Sequence, residues 1–191
     1  AGIQVDWLDD GIKKKLRIPL NLEMASNSEM LKIAIKHKPD FVCIVPEKRN
    51  EVTTEGGLNL KRYKNKLKST INTLNKYKIR TSLFINPTIS DVIISKSLNA
   101  KCIELHTGKI SNQIKKNKKF VNHLKKIKNC AKHAKSLGLE VHVGHGIDYK
   151  TAKILSNVKE IEEFNIGHFI IGESIIFGLK KTISRFKKIL K

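Results

Sequence analysis

The chain alternates short apolar segments with longer segments of helical periodicity, and this alternation limits the folds available to it. Phe41–Val45 is an uninterrupted apolar run closed by Pro46, which is typical of a parallel strand buried on both faces. Short strand-like runs recur about 20 to 40 residues apart from residue 20 onward. Such strands, alternating with helices, predict a parallel sheet with helices packed outside it. A doubly wound sheet and a (β/α)₈ barrel both satisfy that pattern.

We expect one domain, residues 1–191, that forms an incomplete (β/α)₈ barrel with about six βα units. A closed barrel requires two further strands, and residues 1–18 offer only a short helix near 6–16. Ser26 and Glu29 predict a capping box at the start of the first long helix. Expected strands are 20–24, 41–45, 81–85, 102–106, 140–143 and 165–172. Expected helices are about 26–38, 60–77, 87–98, 115–136, 149–156 and 173–190.

Polar side chains cluster just after nearly every expected strand, and this favours the barrel over the doubly wound sheet. In a (β/α)₈ barrel the carboxyl ends of the strands converge on one mouth, where the chemistry takes place. Two carboxylates and three histidines at these ends can form an acid–base site, because histidine exchanges protons near neutral pH. The residues concerned are Glu23, Glu104, His106, His145 and His168.

Glu23 lies between the apolar residues Leu22 and Met24 in the first expected strand. Successive side chains of a strand point to opposite faces, so Glu23 is expected to be buried in the barrel while its neighbours pack against a helix. Glu104 repeats this pattern in a later strand. A buried carboxylate is unfavourable unless it is paired or has a function. A structural salt bridge or a helix cap is the alternative explanation for Glu23.

Two glycine-containing turns follow the last two expected strands. Gly144-His145-Gly146 lets the backbone approach a ligand closely and exposes its N–H groups. Gly167-His168 repeats the arrangement one strand later. Barrels commonly bind phosphate on these two loops, and N–H groups at a helix start suit an anion. A third loop, 52–57, adds the hydroxyl of Thr53; ordinary surface turns remain the alternative for all three.

Composition argues against several other classes of function. The formal charge is +21, but lysines are spread over most helical segments and no aromatic platform accompanies them, so nucleic-acid binding is not expected. No apolar run approaches the roughly 20 residues of a membrane span, and the first residues lack the pattern of a signal peptide. We therefore expect no membrane association and a cytoplasmic location.

The histidines and cysteines do not predict a metal site. No pair of histidines in the expected site has helical i,i+4 spacing, and the neighbouring glycine loops suit phosphate better. The three cysteines, Cys43, Cys102 and Cys130, lie far apart and show no metal-ligand spacing. Cys43 and Cys102 are expected to be small buried hydrophobic residues in a reducing compartment.

These strand ends and loops resemble the pyridoxine 5′-phosphate synthase family. The similarity extends from about residue 19 to the end of the chain and is most specific in the long run through Gly57. The segments that carry it are Asn21–Ala25, 45–49, 51–57, 103–108, 144–146 and 165–168.

The resemblance implies a (β/α)₈ barrel that condenses 3-amino-2-oxopropyl phosphate with 1-deoxy-D-xylulose 5-phosphate. The products would be pyridoxine 5′-phosphate, phosphate and water. By the resemblance, Glu23 accepts a proton, His145 donates one, and Glu104 stabilises charge in the transition state. Ring closure by condensation and dehydration needs repeated proton transfer, which carboxylates and histidines supply without a metal or redox cofactor.

The resemblance also implies how the phosphorylated substrates are held. Thr53 would bind the deoxyxylulose phosphate, and Gly146, Gly167 and His168 would bind the amino-ketone phosphate. It implies a homo-oligomer as well, which in the family is an octamer. It implies no tightly bound cofactor.

The sequence departs from the family pattern at its front. The family's first strand carries an Asn-x-Asp-His motif, and its second strand carries a catalytic histidine and phosphate-binding arginines. Neither is found here, since no histidine precedes His37. We therefore expect a chain that is truncated at its N-terminus relative to the family. An inactive relic, or a basic scaffold that binds acidic partners nonspecifically, is the alternative.

Overall fold

A computed structural model describes residues 17–46 and 56–190, and in these ranges it confirms the expected alternation of strands and helices. The six strands found there are β1 (Asn21–Ala25), β2 (Phe41–Val45), β3 (Arg80–Ile85), β4 (Cys102–His106), β5 (Glu140–Gly144) and β6 (Ile161–Asn165). The helices are α1 (Ser28–His37), α2 (Lys64–Lys76), α3 (Ile89–Ser97), α4 (Gly108–Lys115), α5 (Val121–Ser136), α6 (Tyr149–Leu155), α7 (His168–Phe177) and α8 (Leu179–Ile189). The helix expected near 6–16 lies outside the described residues.

The order of the strands decides between the two expected architectures. All five pairs of neighbours are parallel, and the strands lie side by side in chain order from β1 to β6. A doubly wound sheet reverses its strand order at a switch point, and no reversal occurs among the described strands. The fold is therefore of the (β/α) barrel type, as expected.

One face of the sheet, called the outer face here, packs against the helices. Met24 pairs with Ile44, which pairs with Leu83, and all three side chains are at most 2% exposed. They belong to one hydrophobic cluster with helix residues such as Leu67 of α2 and Ala131 of α5. Full burial of one such large side chain contributes about 1.5–3 kcal/mol, so this layer is the main source of stability.

The opposite face, called the inner face here, is mostly polar. Strands in register place residues of the same parity side by side. One row across this face consists of Glu23, Cys43, Ser82, Cys102 and Glu140. The next row toward the carboxyl ends contains Phe84, Glu104, His142 and Glu163. The sheet therefore separates an apolar core from a layer that can do chemistry.

The first helix starts differently from the predicted capping box. Its N-cap is Asn27, whose side chain accepts a hydrogen bond from the Met30 N–H at 2.8 Å. The Ser26 hydroxyl instead lies 3.0 Å from the Thr70 hydroxyl in a buried contact with α2. The prediction of Ser26 as N-cap is wrong, because the Ser26 hydroxyl contacts Thr70 and the side chain of Asn27 supplies the cap.

The boundaries in the last third of the chain also differ from expectation. The strand predicted over 165–172 is wrong: β6 ends at Asn165, and the apolar run from His168 begins α7. Short apolar runs do not distinguish a strand from a buried helix by periodicity. The predicted final helix is two helices, separated at Gly178 with φ +81°. None of the helices described is both long enough and apolar enough to cross a bilayer.

The helix predicted over 115–136 corresponds to α5, and a helix that was not predicted, α4, precedes it. α4 already begins at Gly108, and α5 begins at Val121. Asn117 lies between them in the left-handed region with φ +51°, a conformation that commonly ends a helix. The extra helix brings the segment after β4 back against the sheet, next to the loop that follows β5.

Substitution of Asn27 tests where α1 begins. Asn27→Ala removes the acceptor for the Met30 N–H and should lower the free energy of unfolding by about 1 kcal/mol. Chemical denaturation of both proteins measures the difference. Ser28→Ala, at the exposed first position of the helix, is the matched control and should change stability by a few tenths of that amount. An equal loss in the control would contradict the assignment of the cap.

Candidate active site

Glu104 is buried in the inner face, with 4% of its surface exposed. Its Oε2 accepts a hydrogen bond from Asn165 Nδ2 at 2.6 Å and one from the Cys43 thiol at 3.4 Å. A Cβ at Gly144 would collide with Oε1 of the same carboxylate. Residues of three other strands, β2, β5 and β6, therefore surround this carboxyl group, and glycine is required at position 144.

Burial raises the pKa of Glu104 to about 7. The hydrogen bond from Asn165 acts in the opposite direction because it favours the charged form, while the negative charge of Glu23 adds to the increase. A carboxyl group with a pKa near neutrality can be present in either protonation state at working pH. Such shifted groups cluster at functional sites.

Glu23 lies on the same face as Glu104 but is more accessible than expected. Leu22 and Met24 are buried on the outer face, with 5% and 2% exposure, so the predicted alternation is confirmed. The expected burial of Glu23 is wrong, since its side chain is exposed. The reason is that β1 is the outermost strand of the described sheet and only β2 flanks it. Glu23 pairs with Cys43 in register.

Cys43 lies on β2 and is influenced by both carboxylates, Glu23 and Glu104. Its thiol is buried, and its pKa is raised well above the usual value by burial and by the charges of Glu104 and Glu23. The group therefore stays a neutral thiol that donates to Glu104. From the sequence, Cys43 was expected to be a small hydrophobic residue, and no role was expected for Asn165. In β2 a continuous apolar run hides which face a side chain takes, and only the register with Glu23 reveals it.

His145 lies in the turn after β5, at the same end of the sheet. Its backbone has φ +77°, a conformation that is uncommon for residues other than glycine and that clusters at functional sites. The Thr107 hydroxyl lies 2.7 Å from both the Gly144 and the His145 carbonyl oxygens. The Thr107 N–H also donates to Gly144 O at 2.9 Å. These contacts from the neighbouring strand fix the turn, while the His145 side chain is exposed.

The expected phosphate-binding residues lie on the two last loops. Gly146 follows His145 with φ +76°. Gly167 is the N-cap of α7 and His168 is the first residue of that helix, both exposed. His168 was expected at a strand end and instead opens a helix. Thr53 lies outside the described residues.

A second polar cluster lies on the inner face across β3, β5 and β6, with Glu140 in the register row of Glu23 and His142 in that of Glu104. Arg80 forms an ion pair with Glu140, whose other oxygen lies 2.8 Å from His142 Nε2. On its other side, His142 Nδ1 is 3.5 Å from Glu163 Oε1. Ligand atoms of Cys102, Glu140 and His142 come within 4.8 Å of one another. The arginine beside Glu140 competes with any cation there, so an ion-pair network describes this cluster better than a metal site.

A groove next to this ion-pair cluster is lined by Arg80 and Glu140. It has a cavity volume of about 960 Å³ and opens at the amino ends of β3, β4 and β5. Active sites of (β/α) barrels lie at the carboxyl ends. His145 lies just after the carboxyl end of β5, and the groove is lined by none of Glu23, Glu104 and His145. Its lysines are Lys78, Lys96, Lys101 and Lys135.

Comparison with known proteins gives consistent results. The family model described as pyridoxal phosphate biosynthesis protein PdxJ matches residues 7–191. A pyridoxine 5′-phosphate synthase of Pelagibacter ubique is 61% identical over 178 residues, which cover 93% of this chain and 74% of that protein. The proteins of the same name from Zymomonas mobilis and Ehrlichia canis are 46% and 42% identical. They align over 94% and 96% of this chain, and over 69% and 76% of their own lengths.

Solved structures with low sequence identity share the fold. Citrate synthase SbnG superposes with a TM-score of 0.52 at 12% identity, covering 95% of this chain and 78% of that one. A xylose isomerase domain protein from Planctomyces limnophilus gives 0.54 at 11% identity, covering 93% and 73%. Identities this low support the fold and carry no information about the reaction.

The raised pKa of Glu104 predicts a pH-dependent stability. The folded state holds the proton of Glu104 up to about pH 7, whereas the unfolded chain releases it near 4.5. Stability from this group is therefore complete below about pH 4.5 and is lost as the pH rises to 7. Glu104→Gln removes the penalty and should stabilise the protein at pH 8 by on the order of 3 kcal/mol relative to pH 5.

Urea unfolding of both proteins at the two pH values measures this change. Glu29→Gln, which neutralises an exposed carboxylate on α1, is the control for loss of negative charge. An effect of Glu104→Gln that is the same at pH 5 and pH 8 would rule out the shifted carboxyl group.

Proposed function

Since the chain belongs to the pyridoxal phosphate biosynthesis protein PdxJ family, we propose that it makes pyridoxine 5′-phosphate with Glu23, Glu104 and His145. It is a pyridoxine 5′-phosphate synthase, a transferase-type enzyme that closes a ring by condensation. Its substrates are phosphorylated small molecules. We assign them as 3-amino-2-oxopropyl phosphate and 1-deoxy-D-xylulose 5-phosphate, in accordance with the family resemblance.

The observation that supports the site assignment is that Glu23 and Glu104 lie on the inner face of two strands, while His145 lies in the turn after a third. Glu23 on β1 and Glu104 on β4 both act electrostatically on Cys43, which lies between them on β2. His145 follows β5, whose last residue packs against the Glu104 carboxylate. Groups so placed can transfer protons to and from one bound molecule.

Each group is suited to a different step. Glu23 is exposed and can reach a substrate proton, so it acts as the general base. His145, on a turn held by Thr107, is the proton donor when a hydroxyl group leaves as water. Glu104 is too buried to be the first acceptor, and as a carboxylate it stabilises positive charge that develops above it. That interaction is strong because little water screens it.

The loops after β5 and β6 hold the phosphate group of the amino ketone in this proposal. Gly146 and Gly167 leave backbone N–H groups accessible, and α7 begins at His168 with the positive end of its helix dipole. The His168 imidazole adds a further hydrogen-bond donor. Thr53 is proposed to bind the second phosphate-containing substrate.

Turnover of the two phosphorylated substrates to pyridoxine 5′-phosphate tests the function. Glu23→Gln and His145→Asn keep side-chain size and remove the base and the donor, so each should lower kcat on the order of 10²–10⁴-fold. His123→Asn on α5, a helix whose buried residues belong to the outer hydrophobic cluster, is the matched control and should leave kcat unchanged. A wild-type protein that forms no product while binding DNA with a steep salt dependence would instead support the basic-scaffold alternative.

His142 distinguishes the donor from other histidines near the site. It is buried between Glu140 and Glu163, and burial lowers its pKa. His142→Asn should reduce kcat far less than His145→Asn. If the two substitutions were equally damaging in folded protein, the donor would not be the histidine flanked by glycines.

A homo-oligomer is the proposed assembly, with α7 in the contact between copies. Helix α7 is rich in apolar residues, and Ile175 and Ile176 are 83% and 73% exposed. Exposed apolar surface of this kind commonly marks an interface. The neighbouring Ile171, Phe177 and Leu179 are also exposed.

Ile175→Lys places a charge in this surface and should shift the protein toward smaller species in analytical ultracentrifugation. Lys180→Glu, at an exposed position of α8, is the control for a change of charge near the surface and should leave the distribution as it is. Equal sedimentation of wild type and Ile175→Lys at all concentrations would exclude α7 from the contact.

A further inference from the structure

The end of β4 and the start of α4 hold a buried histidine, His106, that has no part in the function proposed above. His106 ends β4, Thr107 follows it, and Gly108 begins α4. All three are buried, although two of them are polar. A buried histidine beside a candidate proton donor calls for a physical explanation.

The ring of His106 is stacked on the ring of His145. Their centroids are 4.9 Å apart and their planes differ by 30°. On its other side His106 meets the edge of Phe84 at 5.3 Å and 80°. Only 4% of His106 is exposed, so it cannot easily change rotamer, whereas the His145 side chain is accessible. The buried ring of His106 therefore supports the exposed ring of His145.

Gly108 is what makes the stack possible. A Cβ at this position would lie 2.8 Å from His106 Cε1 and 2.9 Å from His145 Cδ2. Both distances are shorter than real Cβ contacts, so any side chain here would force the rings to move. The buried Nε2 of His106 has no hydrogen-bond partner among the described residues. Ring packing, rather than a hydrogen bond of that nitrogen, explains the orientation of His106.

The stack carries at most one charge near neutral pH. Burial, together with the neighbouring His145 and Lys109, lowers the pKa of His106 to about 4. His106 is thus an uncharged imidazole in the working range. An uncharged ring can lie against a protonated His145, whereas a second cation at that distance would oppose protonation.

We propose that His106 is a positioning residue, whose ring fixes the imidazole of His145 in the orientation required for proton donation. The proposal rests on the function assigned above, because it takes His145 as the donor. Thr107 fixes the backbone of the turn through its two carbonyl contacts, and His106 fixes the side chain. A misplacement of about 1 Å in a catalytic group can lower a rate about 10²-fold.

The kinetic test compares two substitutions at one position. His106→Ala removes the support and should lower kcat roughly 10- to 100-fold while KM for both substrates changes little. His106→Phe keeps a flat ring and removes both nitrogens, so it should retain most of kcat. If the two variants were equally impaired, His106 would act through its nitrogens, and positioning by ring contact would be wrong.

Gly108→Ala gives an independent arm that keeps both histidines. Its new methyl group separates the rings, so kcat should fall as in His106→Ala. The residue opens a helix, where alanine is favourable, and the variant should fold even if His106→Ala does not. Wild-type kcat in this variant would overturn the proposal.

Nuclear magnetic resonance of the His145 ring protons separates the proposal from the assigned function. In wild-type protein these resonances should be displaced by the ring current of His106. The displacement should disappear in His106→Ala and persist in His106→Phe. If wild-type protein forms no product but shows this displacement, the assigned function fails and the stack stands. An undisplaced wild-type resonance would exclude the stack itself.

Discussion

Parallel pairing in register is the constraint on which the rest of the structure depends. With the six described strands in chain order, a side chain from β1 to β5 is assigned to the outer or the inner face by its parity, and the register shifts only between β5 and β6. A slip of one residue in β1 would put Met24 on the inner face and Glu23 against the helices. The unpaired charge would then lie in an apolar layer, which is strongly unfavourable. The hydrophobic pattern therefore fixes the register, and the register fixes the site.

The hydrophobic cluster on the outer face offsets the cost of burying the Glu104 carboxyl group on the inner face. Glu104 is buried with one amide donor and one weak thiol donor, which do not fully replace water. Its pKa of about 7 reflects that incomplete solvation. Residues such as Ile44 and Leu83, fully buried on the other side of the same strands, supply the stability that offsets it. One face of the sheet thus supplies stability through apolar burial, and the other face holds a buried carboxyl group that lowers stability.

Each loop at the carboxyl edge is shaped by the strand beside it. The turn at His145 has a left-handed backbone, and contacts from the segment after β4 hold it there. Gly144 is needed to accommodate Glu104, and Gly108 to accommodate the histidine stack. Glycines that look like simple turn residues in the sequence are here positions of close approach between neighbouring strands. Substitution at either would disturb a side chain distant in sequence.

Sequence periodicity was sufficient for the alternation of strands and helices, because apolar residues recur at the spacing of the buried face of each element, but it missed α4 and the division of the last helix. It predicted β2 and β4 within a residue and placed Leu22 and Met24 opposite Glu23. It failed at 165–172, where an apolar run without a clear period is a helix, and at Ser26, whose hydroxyl is used by Thr70.

What the sequence by itself determined was the barrel-type alternation and the identity of the polar groups at the strand ends. Only the tertiary structure decided which of them are buried. Glu23 and Glu104 have the same local pattern, yet Glu23 is exposed on an outer strand and Glu104 is enclosed by its neighbours. Cys43 and Asn165 became partners of Glu104 for the same reason: solvation and contact across a sheet depend on adjacent strands, which local spacing does not encode.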